Sequence, residues 1–202
     1  MTERTLQEIE HEIIAKINAG PLSPRMFDLG CGEVVPPEGF EGIDLYARGA
    51  HVTRRMDLFQ TPWQIADGLV SMFTSSHFVE HVPDWNAHFA EIWRCLEPGG
   101  YYRFIGPYAK SDRYLQDPDH KQPLTEARLA YLQQAWLREN KIEHGRPPMN
   151  FSIVAVGYWW HHDYENEPES VRRDALLHAW NVANDIFVII RKEELLPDAG
   201  VT

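Results

Sequence analysis

Cysteine is scarce in this sequence: the 202 residues include two, Cys31 and Cys95. They form no CxxC pair and no metal-ligand spacing, and nothing in them suggests a disulfide framework. A reducing cytoplasm is the expected compartment. Basic charge is also scarce, with 19 Lys and Arg against 30 Asp and Glu and a net charge of −11. That argues against general nucleic-acid binding, because phosphates require a basic stripe. Arg48, Arg54 and Arg55 are the nearest approach to one, and a solvated loop is the favoured reading of them. No stretch reaches the length of a membrane span. The acidic N-terminal segment lacks the apolar run of a signal peptide. An intracellular protein with no membrane partner is expected. Internal repeats and low-complexity tracts are absent. Apolar residues are present at 44%, with seven Trp, eight Tyr and nine Phe, which suits one domain around one core and argues against disorder.

Periodicity divides the chain into alternating elements. Residues 2–19 read as an amphipathic helix with Leu6, Ile9, Ile13 and Ile17 on one face, Thr2 as N-cap and Gly20-Pro21 as the stop. Strands are expected over 25–30, 40–45, 52–58 and 69–75. Asp84-Trp85 opens a helix that carries Trp85, Phe89, Ile92, Trp93 and Leu96, and Pro98-Gly99-Gly100 ends it. A fifth strand covers 101–105. Residues 112–123 read as a polar loop and 125–140 as a helix with Leu129, Leu132 and Trp136 inward. A strand over 151–160, a helix over 168–182 with proline near its first turn and a strand over 185–191 complete the pattern. This is a Rossmann-like, doubly wound α/β domain: a mainly parallel sheet, an antiparallel last strand and helices on both faces. Residues 106–150 are a substrate-side insertion after the fifth strand, at the end of the sheet where ligands bind in this architecture.

The run Met26-Phe27-Asp28-Leu29-Gly30-Cys31-Gly32 carries the chemistry. An apolar strand ends in an acid followed by two glycines, which let the backbone turn sharply and approach a ligand closely. The dinucleotide fingerprint requires a third glycine where Val35 stands, so an NAD-dependent oxidoreductase is disfavoured. Asp28 is suited to an ammonium group rather than a pyrophosphate. Asp44 ends the second strand, where a carboxylate can accept from both ribose hydroxyls. Asp57 ends the third, where it can accept from an adenine amine. Each acid has a structural alternative, a buried strand-end acid for Asp28 and a turn-starting residue for Asp44 and Asp57. Together the three match the three parts of S-adenosylmethionine.

On these residues the sequence resembles the class I S-adenosylmethionine-dependent methyltransferases, in particular a bacterial and phage branch with a short first loop. Gly30-Cys31-Gly32, Pro36-Pro37, Gly39-Phe40 and Ile43-Asp44 are followed by His77-Phe78-Val79-Glu80-His81. Glu91–Gly100 then matches the helix and turn before the fifth strand. The likeness covers about residues 25–107. The resemblance implies cofactor contacts from Asp28, Gly30, Cys31, Gly32, Asp44, Leu45, Asp57, Leu58, Ser75, Ser76 and His77, with Thr74–His77 at the methionine end. S-adenosylhomocysteine would be the product. Two departures stand out: Val34 replaces the third glycine of the usual loop, and the interval from Asp28 to Asp44 is too short for a full helix. A loop or single turn is expected there. Cys31 is read as a small packing residue rather than a nucleophile.

Methyl transfer needs alignment and exclusion of water more than a base. If a base is used, His81 is the candidate, weighed against a capping or packing role and against substrate contact. His77, Glu80 and His81 match an HxxEH order, but no metal is assigned. His161 and His162 are adjacent on a strand and are expected to face opposite sides. Tyr108 and His120 are the candidate substrate contacts, with Tyr114 and Trp136 lining an apolar pocket. Of Trp159 and Trp160, one is expected in the core. The expected activity is methylation of an oxygen or nitrogen on a small-molecule or sugar-like acceptor. A noncatalytic binding module is the alternative.

Overall fold

The computed structural model describes residues 5–19, 25–46, 48–142 and 145–197. Helix α1 spans Leu6–Asn18, and Thr5 caps it in a reciprocal capping box with Glu8. Such a cap satisfies two otherwise orphan amide donors. The expected cap Thr2 and stop Gly20-Pro21 lie outside the described residues. Strands β1 (Met26–Leu29), β2 (Glu41–Asp44), β3 (Val52–Arg55) and β4 (Val70–Ser76) follow. Helix α2 (Trp85–Cys95) starts at Asp84, whose side chain accepts from Ala87 N. It ends earlier than Pro98-Gly99-Gly100 suggests, and β5 runs from Leu96 to Pro107 through those glycines. Strands β6 (Phe151–Trp160) and β7 (Ala183–Lys192) close the set.

The seven strands form one sheet in the order β3-β2-β1-β4-β5-β7-β6. Pairing is parallel from β3 through β5, and β7 is antiparallel to both β5 and β6. Strand β7 alone therefore runs against the others, the doubly wound arrangement with a reversed last strand. Between β1 and β4 the winding changes direction, which creates a switch point above their carboxyl ends. Residues alternate across the sheet. On one face Met26, Met72, Phe187 and Ile189 pack under Ile13 of α1. On the other Phe27, Phe73, Tyr102 and Phe104 pack under Phe89 and Ile92 of α2. Residues 30–40 contain no helix, as the short interval implies.

Three expectations need correction. Strand β3 ends at Arg55, and Asp57 instead turns the chain by accepting from Phe59 N at 2.9 Å. The polar loop begins with a short helix, α3 (Asp112–Leu115), capped by Ser111. The expected helix over 125–140 is broken into α4 (Glu126–Leu129), a 3-10 turn (Ala130–Leu132) and α5 (Gln134–Glu139). Leu129, Leu132 and Leu137 are buried, while Trp136 packs tilted against Tyr131 instead. Helix α6 (Glu169–His178) follows Pro168.

Candidate active site

Above the switch point lies a cavity of about 560 Å³. Gly30 and Gly32 contribute from the loop after β1, and Asp44, Leu45 and Tyr46 from the end of β2. Asp57, Leu58 and Phe59 follow β3, Phe78 and His81 follow β4, and Asp119 reaches in from the insertion. Both glycines have positive φ, +67° and +57°. A Cβ on Gly32 would meet nothing within 4 Å, so this glycine opens onto free space. A Cβ on Gly30 would fall 2.3 Å from the Phe78 ring, so that glycine also serves the packing of the β4 turn.

Asp44 is fixed from two sides. Gly32 N donates to Oδ2 at 2.9 Å and Tyr46 N to Oδ1 at 2.8 Å. Each oxygen retains acceptor capacity, directed at the cavity. Leu45, Tyr46 and Phe59 are exposed, and Phe59 lies parallel to Phe78 with centroids 5.8 Å apart. These aromatic surfaces would suit a flat heterocycle. The sequence reading omits Tyr46, Phe59, Phe78 and Asp119; for Tyr46 and Phe59 the signal is an aromatic two residues beyond Asp44 and Asp57, and Phe78 and Asp119 carry no such signal. Asp28 stands behind the cavity, on the α1 face of the sheet between Gly42 and Thr74. Burial pushes its carboxyl up to about 6, against the pull of Arg103 and His51. Cys31 is buried against Gly42, and burial pushes its thiol up to about 11, which suits packing rather than nucleophilic attack. The altered loop does not obstruct the site, since Val34 and Val35 project into solvent at 71% and 72% exposure.

After β4 the residues separate by role. Ser75 is fully buried and bonded to Tyr102 Oη at 2.8 Å, turned toward the core. Ser76 is exposed outside the cavity wall. His77 takes a left-handed φ of +53° and starts the turn that carries Phe78, Glu80 and His81. Its imidazole is raised above the usual value by the Glu80 carboxylate, 3.3 Å away, against partial burial. His81 lines the cavity, and its ring meets that of His120 at 4.8 Å between centroids. The insertion is fastened over this turn, because Lys121 N and Gln122 N both donate to Glu80 O, at 2.7 and 2.9 Å.

Other candidates lie elsewhere. Tyr108 bonds Glu126 and lines a separate cavity with Tyr158 and Trp160. Trp160 packs there under Arg172, while Trp159 is half-exposed against Phe187. His161 and His162 lie past the end of β6, where alternation no longer applies. Their rings approach to 4.0 Å, and both face Asp163. The three arginines make no patch: Arg48 pairs with Glu33, Arg54 lies over Phe27, and Arg55 donates to Leu45 O.

Residues 27–104 match the family model described as a methyltransferase domain. No curated protein sequence matches the chain. Among solved structures, a SAM-dependent methyltransferase from Archaeoglobus fulgidus is similar at TM-score 0.58 and 18% identity, covering 93% of this chain and 95% of that one. The YcgJ protein of Bacillus subtilis is similar at TM-score 0.51 and 14% identity, covering 92% and 99%. No helix among the described residues is long and apolar enough to cross a membrane. Residues 27–104 thus carry a methyltransferase-domain match, on a fold that the chain shares with solved SAM-dependent methyltransferases.

Proposed function

We propose that the switch-point cavity holds S-adenosylmethionine with its ribose on Asp44, and that the enzyme methylates a small-molecule or sugar-like acceptor on oxygen or nitrogen. The observation that carries this reading is the Asp44 carboxylate, clamped by Gly32 and Tyr46 at the rim of a cavity of about 560 Å³. The open space at Gly32 and the exposed faces of Leu45 and Phe59 supply room and apolar surface for a nucleoside. When bound, the cofactor supplies a methyl group already activated on a sulfonium. The chain's own residues then bind, orient and shield. Asp57 would take the adenine amine. Asp28, carrying its charge behind the glycine loop, would favour the ammonium end. Residues 106–150 would cover the acceptor, with His81 and His120 as its polar contacts. His81 on the cavity wall is placed to receive a proton from an acceptor that must lose one.

Titration calorimetry tests the cofactor assignment. Asp44→Ala removes a charged acceptor of two hydroxyl bonds, each worth about 1.5–3 kcal/mol before water recovers part of it. Affinity for S-adenosylmethionine is expected to fall at least tenfold, about 1.4 kcal/mol, with no detectable binding of NAD to either protein. A folded variant with unchanged affinity would refute the assignment.

A further inference from the structure

Glu80 is the least explained residue near the cavity. Its side chain is fully buried, and neither carboxylate oxygen has a hydrogen-bond partner among the described residues. His77 Nδ1 stands 3.3 Å from Oε1 but outside hydrogen-bond alignment. On the other side, Gly106 leaves room for Oε2, because a Cβ there would stand 2.9 Å from it. His77, itself partly exposed, offers charge to Oε1 alone, and a buried carboxylate with so little compensation is unfavourable unless a further cation joins it.

Two imidazoles face the same point. His120 is anchored through Nδ1, which lies 2.7 Å from the Tyr114 carbonyl oxygen. That bond makes Nδ1 the donor, the arrangement typical of a ligating histidine; Nε2 faces Asp117 Oδ2 at 3.6 Å, too far for a hydrogen bond, so its lone pair can turn to an ion. Tyr114 also stacks on the ring at 5.3 Å. No hydrogen bond involves the His81 ring among the described residues, and it meets His120 edge to face. One ligand atom each from Glu80, His81 and His120 lies within 4.8 Å of the others. Bonds of about 2.1 Å to a shared ion bring ligand atoms to roughly 3–4 Å apart, so modest ring rotation closes the set.

We propose that Glu80, His81 and His120 bind one divalent transition-metal ion at the acceptor end of the cofactor cavity. Two imidazoles and one carboxylate favour Mn²⁺, Co²⁺ or Zn²⁺ over the all-oxygen preference of Mg²⁺ and Ca²⁺. Three protein ligands leave coordination positions open. Because His81 is also part of the cavity wall, those positions face the acceptor, and with the ion bound His81 acts as a ligand in place of the base role given above. This assignment deepens the reading of the cavity as the cofactor site, and it selects oxygen: the acceptor carries a hydroxyl, or two adjacent ones, that binds the ion and becomes more acidic there.

The test uses Co²⁺ alone, titrated into the full chain after chelator treatment and followed by its visible absorption. One Co²⁺ per chain is expected. His120→Ala and the near-isosteric Glu80→Gln should each weaken binding at least tenfold, while His161→Ala leaves it unchanged. Thermal unfolding confirms that the variants are folded. S-adenosylmethionine affinity should stay within about twofold in Glu80→Gln, so loss of metal is separable from loss of the cofactor site. No stoichiometric Co²⁺ binding by the native chain would overturn the proposal. So would equal binding by folded Glu80→Gln and His120→Ala, or loss in His161→Ala, which would place the ion at the exposed His161, His162 and Asp163 group.

Discussion

Two buried ionisable side chains impose opposite pH dependences on stability. Asp28 is held near 6 in the fold against an ordinary 3.8. Its contribution is therefore full below about pH 4 and lost as pH rises through 6. His88, packed among Trp63, Phe78, Phe89 and Tyr102, is held near 3 by burial. Its contribution is full above pH 6.5 and lost as pH falls toward 3. Asp28→Asn removes only the first effect. Between pH 4 and pH 7 the variant should gain roughly 2 kcal/mol relative to the native chain, read by urea unfolding at both pH values. A constant difference across that range would show that Asp28 titrates normally. At this scale the placement of Gly32 and Asp44 at the cavity was legible, because a glycine turn and a strand-end acid fix their position locally. Ser75 was not, since its partner Tyr102 lies on a neighbouring strand. Glu80 and His120 come together only when the insertion folds back over the β4 turn.

At the scale of elements, the segment between β3 and β4 has no helix of its own and is held by α2. The Glu91 carboxylate accepts from Trp63 N at 2.5 Å and pairs with Arg94, which also bonds Asp67 and Trp63 O. Glu91 is buried. Arg94→Ala would leave its charge poorly compensated and should cost about 2–3 kcal/mol, toward the low end because Arg94 is partly exposed. Arg94→Lys should recover part of that. Thermal or urea unfolding checks the ranking, and equal stability of the alanine variant would contradict it. Strands β1, β2 and β4 and helix α2 were readable from periodicity and caps. The break within 125–140 was not. Gln134 N is taken by Asn150 Oδ1 at 3.0 Å, a contact from a distant residue that starts α5 afresh. Residue Asp57 illustrates the same limit, since a strand end and an aspartate turn share one local sequence.

For the whole molecule, strand order places the reading on one end of one sheet. The loops after β1, β2, β3 and β4 converge there, and the insertion after β5 supplies Asp119 to the same cavity. The alternation of elements made this topology legible. Which side of the insertion faces the cavity depended on tertiary contacts: His120 comes beside His81, whereas Tyr108 turns to a separate cavity. The most direct measurement is a crystal structure of the chain with S-adenosylhomocysteine. The account predicts ribose hydroxyls within hydrogen-bond reach of the Asp44 carboxylate and the sulfur directed toward His81 and His120. A nucleoside bound away from Asp44, or a sulfur facing away from the insertion, would contradict it.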